Sequence, residues 1–271
     1  MASLLSYYKK YSQDNRIVVE KLNDHVQQGI DIIKDVDGSK IGLYVKKEEL
    51  ASYPLANAIK LAIIFHDTGK AFFQYNYKCD ENSNVYLSFQ AHEWFSAYIF
   101  KKYMEKILLN GHYTSLNELI AMKDGLNSIK FAILYHHHAL SLKNRQKNLL
   151  LHETNILKTQ ASDILKLKEL QCHLEKPEEF NNTIETIVQE YEKSKNMFVG
   201  NMLRAIEEDN LEIWRKFISD YKFRKLCLIT STLLISIDYL SAQERESSSS
   251  IFFNALKDFS EYYANFGSNL L

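Results

Sequence analysis

Between Leu61 and Phe72 the sequence LAIIFHDTGKAF carries five apolar residues directly into His66 and Asp67, followed by Thr68, Gly69 and Lys70. An ionised group in an apolar interior costs several kcal/mol unless it is compensated, or it titrates to its neutral form. A metal ion is an economical compensation, because neutral imidazole and carboxylate are both good ligands. Two adjacent ligands do not hold an ion tightly, so the rest of the chain must supply more.

Nine histidines are available, and six of them fall on or beside apolar helical stripes. His25 lies between Leu22 and Val26, His66 follows AIIF, His92 lies between Phe89 and Phe95, and His136, His137 and His138 follow FAILY. Taken singly, each reads as a core histidine bonded to a backbone carbonyl; taken together, they read as ligands. Asp238, inside LLISIDYLSA, adds a carboxylate one helical turn after Leu234. Its alternative reading is a buried aspartate held by Ser or Tyr hydroxyls. His112, His152 and His173 have polar surroundings and read as surface residues.

These side chains need helices to carry them. Only eight glycines and two prolines punctuate 271 residues, 46% of which are hydrophobic, which predicts an all-α chain forming one domain over residues 1–271. Val18, Leu22, Val26, Ile30 and Ile33 recur at helical spacing between Arg16 and Lys34. Residues 35–53 break that pattern, with IGLYV as a short extended excursion. Pro54 suits the first turn of a helix running to about Asp67, with Gly69 as its left-handed C-terminal cap. A polar loop over 74–88 precedes a helix from Phe89 to about Leu109, and SLNE at Ser115 is a capping-box start. A further helix over Leu126–Leu140 carries YHHHAL. Residues 145–208 read as outer helices broken at Pro177, Leu211–Glu246 as the most buried helix, and ESSSS as a joint before an aromatic C-terminal segment.

Composition excludes several classes. With 33 basic and 34 acidic residues the net charge is −1, so the whole molecule has no strong pull on nucleic acid or anionic lipid. The clusters KNRQK (143–147) and YKFRK (221–225) each read as solvated surface. Cys79, Cys172 and Cys227 are odd in number and lack a CxxC, which argues against a disulfide framework or thiolate zinc site and fits a reducing cytoplasm. The start shows no apolar core of signal-peptide length, and LCLITSTLLISIDYL is shorter than the roughly 20 residues that span a bilayer. No GxxxxGK nucleotide loop is present.

The order His, His-Asp, His, a His pair, then Asp resembles the HD superfamily of metal-dependent phosphohydrolases. Within it the chain is most similar to the HD nuclease of type I CRISPR interference, in the stand-alone form encoded apart from the helicase. The shared pieces are DHVQQG around His25, HDTGK from His66 to Lys70, QAHEWFSA around His92, YHHHAL in place of a His-His-Gly-type motif, and SIDYLSA around Asp238. His138 stands where that pattern has a glycine.

The resemblance implies a compact helical architecture around a central site, with Asp67 bridging two divalent metals. His25, His66, Asp67 and Asp238 would hold one, and Asp67, His92, His136 and His137 the other. Mixed imidazole and carboxylate ligands suit Mn first, then Fe, Co or Ni, with Mg a further alternative. Two such cations, about 3.5–4 Å apart, activate a water against a phosphodiester. Lys70, one turn past His66, is placed to steady charge on the phosphate, or else is a solvated lysine. The implied substrate is single-stranded DNA, or RNA, exposed by a separate CRISPR helicase and an RNA-guided surveillance complex. KNRQK would then border the site as a backbone-tracking rim. The alternatives are an HD phosphohydrolase acting on nucleotides or cyclic nucleotides, and a metal-stabilised scaffold without turnover.

Overall fold

The computed structural model describes residues 3–33, 35–51, 53–137, 146, 147, 149, 158–242, 255, 256 and 258–265. His138, Lys143, Arg145, His152 and the ESSSS joint lie outside them. The described chain is largely helical, as composition predicts, but the all-α expectation needs one correction. Leu5–Lys10 (β1), Ile17–Lys21 (β2), Tyr77–Cys79 (β3) and Val85–Leu87 (β4) form an antiparallel sheet in the order β2-β1-β4-β3. The polar stretch read as a loop is thus a hairpin. The Asp80 carboxylate closes its turn by accepting from the backbone N–H groups of Asn82 and Asn84.

The helix expected from Arg16 begins instead at Leu22 (α1, Leu22–Ile32). Ile17, Val18 and Val19 are β-branched and prefer the pleated backbone of β2. The four-residue spacing of Val18, Leu22 and Val26 therefore mimics a helix across a strand–helix junction. Residues of β1 and β2 face each other as Tyr8 with Val19 and Tyr7 with Glu20, but then as Leu5 with Lys21. Two steps along β1 match one along β2, so Ser6 is the extra residue of a β-bulge.

IGLYV is helical rather than extended, within α2 (Lys40–Lys47), whose first turn is capped by the Ser39 hydroxyl. Then follow α3 (Leu55–His66), α4 (His92–Asn110), α5 (Leu116–Tyr135), α6 (Ala161–Leu165), α7 (Pro177–Lys193), α8 (Lys195–Ser219) and α9 (Tyr221–Ser241). Pro54 precedes α3 and Pro177 opens α7, both at the helix start, where a missing N–H costs nothing. Ser115 caps α5 by accepting from the Glu118 N–H.

The sequence reads as one domain; by packing, the chain divides into two compact units, each assembled from separated stretches. The first comprises Met1–His25, Phe65–Lys106 and His138–Glu207, and contains the sheet. Its core is aromatic. Phe65 meets Phe100 and Phe180 edge-on at 5.1 and 5.5 Å, and Phe72 stacks on Phe95 at 4.3 Å. Each such ring contributes about 1.5–3 kcal/mol through burial. The second comprises Val26–Ile64, Ile107–His137 and Glu208–Leu271. There α5 packs on α9, and Phe131, Ile213, Phe223 and Cys227 form a buried cluster flanked by Tyr135, Trp214 and Phe217. Asp220 caps α9 by accepting from the Phe223 N–H at 3.0 Å.

Candidate metal centre

In the first unit the centre is built around one carboxylate. The buried Phe65 leads into His66, the last residue of α3, and Asp67 follows with φ −107° and ψ 0° before a 3-10 turn over Thr68–Phe73. Gly69 is not the left-handed cap that its position suggests, since no glycine described has a positive φ. Its importance is close approach: a Cβ there would lie 2.0 Å from the His92 carbonyl oxygen and 2.8 Å from the Ser96 nitrogen. The Gly69 N–H donates to the Ser96 hydroxyl at 2.8 Å, so the turn carrying Asp67 lies directly on the first turn of α4. Phe72 and Phe73 pack on Phe95 and hold the turn there.

His92 opens α4 directly after Ala91, whose φ of +70° is strained for a residue with a side chain. Three imidazoles then meet Asp67, and its two oxygens divide them. Oδ1 faces His92 Nε2 at 2.8 Å, whereas Oδ2 faces His25 Nε2 and His66 Nε2, each at 3.5 Å. His25, His66 and Asp67 each offer a ligand atom within 4.8 Å of the others. All four residues are buried to within a few per cent.

Lys70 corrects the solvated alternative. It is buried, its ammonium lies 2.5 Å from Asp67 Oδ2, and it also donates to the Ser6 carbonyl and lies over the Phe89 ring. Burial pushes the Asp67 carboxyl upward in pKa, but the charges of His66 and Lys70 and the hydrogen bond from His92 outweigh it and hold the group well below the usual aspartate value.

The donor set fits a metal cation. The Phe89 carbonyl only accepts, so His92 Nδ1, at 2.7 Å from it, carries the proton. With the Nδ1 proton committed to that carbonyl, Nε2 is the ring atom that faces Asp67 Oδ1, and a cation belongs between the two: a proton in the metal-free protein, which makes the hydrogen bond to Asp67, or a metal ion in its place. Anchoring of the far ring nitrogen is how metal-binding histidines are commonly oriented.

In the second unit, α5 ends at Tyr135, so the histidine run begins just past the helix rather than on it. His136 is buried and donates Nδ1–H to the Ile133 carbonyl at 2.7 Å, the same arrangement as His92, which leaves Nε2 as the ligand atom. His137 is exposed, its ring 3.9 Å from that of His136. Asp238 lies on α9 and is half-buried, beside the buried Leu234 and Ile237. The Ser241 hydroxyl donates to the Asp238 backbone carbonyl.

Outside the set, His112 is exposed, as expected, and His173 is part-buried with Nε2 3.0 Å from Asn23 Oδ1. Two residues near the centre carry no signal in the sequence reading. Glu20, on β2, places Oε2 3.6 Å from His25 Nδ1, and the bulge residue Ser6 donates its hydroxyl to that same oxygen. Strand alternation over residues 17–21 was the available signal, but the helical spacing masked it. Compared with known proteins, the chain matches no family model, no curated protein and no solved structure.

Proposed function

We propose that this chain is a metal-dependent phosphodiesterase of the HD nuclease type, cutting single-stranded DNA for a separate CRISPR helicase and RNA-guided complex in the cytoplasm. The observation that supports this reading is the division of the Asp67 carboxylate, with His25 and His66 on one oxygen and His92 on the other. That is the division expected of a bridging ligand. His25, His66, Asp67 and Asp238 would hold one divalent cation, Mn foremost, and Asp67, His92, His136 and His137 a second. When bound, the pair supplies a water acidic enough to act as a nucleophile at neutral pH and positive charge for the phosphate oxygens.

The chain's own contribution is orientation and charge. Carbonyls of Phe89 and Ile133 turn Nε2 of His92 and His136 outward from their helices' ends. Lys70 keeps Asp67 ionised and fixed, and the aromatic packing of Phe72 and Phe73 keeps its turn rigid. A dry, preorganised carboxylate of this kind spends little energy on reorganisation when a cation or phosphate arrives.

The test is to strip the protein of metal and incubate it with labelled single-stranded DNA, duplex DNA, RNA and a panel of nucleotides and cyclic nucleotides, adding Mn, Mg, Ni or Co in turn. Cleavage of single-stranded DNA that depends on added metal is the expected result. Turnover confined to nucleotides would replace the nuclease with an HD phosphohydrolase of small substrates. Metal binding without any turnover would leave a metal-stabilised scaffold.

A further inference from the structure

Three histidines converge on Asp67, and two of them, His92 and His25, are oriented by different means. His92 donates Nδ1–H to the carbonyl three residues before it, and His136 does the same in its own unit. His25 instead turns Nδ1 toward the Glu20 carboxylate at 3.6 Å, with Nε2 3.5 Å from Asp67 Oδ2. Glu20 reaches this place because of the bulge in β1. The extra residue, Ser6, donates its hydroxyl to Glu20 Oε2, while its carbonyl accepts from the Lys70 ammonium at 3.2 Å. One irregular residue of the sheet therefore holds both an acid beside His25 and the cation beside Asp67. Bulges commonly re-aim side chains beside functional sites.

We infer that Glu20, fixed by the Ser6 bulge, is a positioning residue for His25: its negative charge favours the proton on Nδ1 and leaves the Nε2 lone pair directed at the space beside Asp67. The contact is an electrostatic one, since 3.6 Å exceeds a formed hydrogen bond of roughly 2.7–3.2 Å. A carboxylate so placed fixes both ring orientation and tautomer, and raises the basicity of the ligating nitrogen. The role is indirect: Glu20 acts on the ligand His25. The inference rests on reading this centre as a metal site, but its first consequence, the tautomer of His25, is observable without metal.

The experiment uses the full chain with 15N-labelled histidine. Long-range 15N–1H correlation on the metal-free protein should show His25 protonated at Nδ1 in the wild type and as a mixture of tautomers in Glu20→Ala. Calorimetric titration with Mn should show Kd raised about 10–100-fold in Glu20→Ala, the usual cost of losing a residue that orients a ligand. Glu20→Gln fills the same space without the charge and should show the same mixture of tautomers and the same weakened binding as Glu20→Ala, whereas a purely space-filling role would leave Glu20→Gln like the wild type. A wild-type His25 protonated at Nε2 overturns the inference, as does a Glu20→Ala protein with unchanged tautomer and Kd. If Glu20→Ala does not fold, the wild-type tautomer decides alone. A wild type that binds no Mn removes the metal reading, and the tautomer still judges Glu20.

Discussion

Asp67 has a different set of neighbours on each oxygen, and that asymmetry makes it the most sensitive single position in the chain. Asp67→Ala should abolish metal-dependent cleavage, a loss exceeding the roughly 10–100-fold expected when only an orienting residue is removed. Far-UV circular dichroism should remain that of the wild type, and a variant with wild-type rates would sink the bridging assignment. The carboxyl is also held well below its ordinary value of 3.8 in the metal-free protein. A depressed acid stabilises the fold fully above its unfolded value, and the contribution is lost as pH falls through the lower folded value. Denaturant titrations from about pH 5 down to about pH 1 should show wild type losing stability in the acid limb. Asp67→Asn should flatten that limb. At this scale much was legible: His25, His66, Asp67 and His92 each stand where an apolar stripe is interrupted, and all four are buried together. Lys70 was legible only as a position. Its burial follows from the sheet carbonyl and the Phe89 ring beside it, neither of which sequence spacing reveals.

The 3-10 turn from Thr68 to Phe73 and the head of α4 act as one piece, joined where Gly69 lets backbone meet backbone. Gly69→Ala should destabilise the protein by about 1–3 kcal/mol, the range for overpacking a close contact, and should lower activity further by moving His92. Chemical denaturation measures the first effect, and an unchanged midpoint would show that the turn yields easily. The sequence suggested a capping glycine because helix ends so often use one; the structure needs the absent Cβ instead. Helix starts at Pro54 and Ser115 were legible because local chemistry dictates them, and the break read at Pro177 is where a helix begins. The sheet was not, for a physical reason. β3 and β4 are three residues each, too short to show alternation, and β2 runs without a break into α1. Its stability comes from pairing with distant strands, which no local window contains.

For the molecule as a whole, metal binding to the folded state alone should raise thermal stability. At about 100 times Kd the gain is about 2.7 kcal/mol, or roughly 5–10 °C for a chain of this size. Melting curves with and without Mn should show that rise in wild type and a smaller one in Asp238→Asn, which keeps the side-chain shape but removes its charge. Equal rises would remove Asp238 from the ligand set. Among the described residues no helix is long and apolar enough to cross a membrane. The interleaving of the two units bears on how the protein is made. The first unit needs Met1–His25, Phe65–Lys106 and His138–Glu207, so 207 of the 271 residues must be synthesised before all of it exists. The second waits for Glu208–Leu271. A ribosome therefore releases His25, His66 and Asp67 early, with the apolar stripes beside them lacking the later segments that bury them. Nascent chains of this layout hold their hydrophobic surface open through most of translation, which makes co-translational chaperone contact, rather than stepwise domain folding, the expected route to the native state.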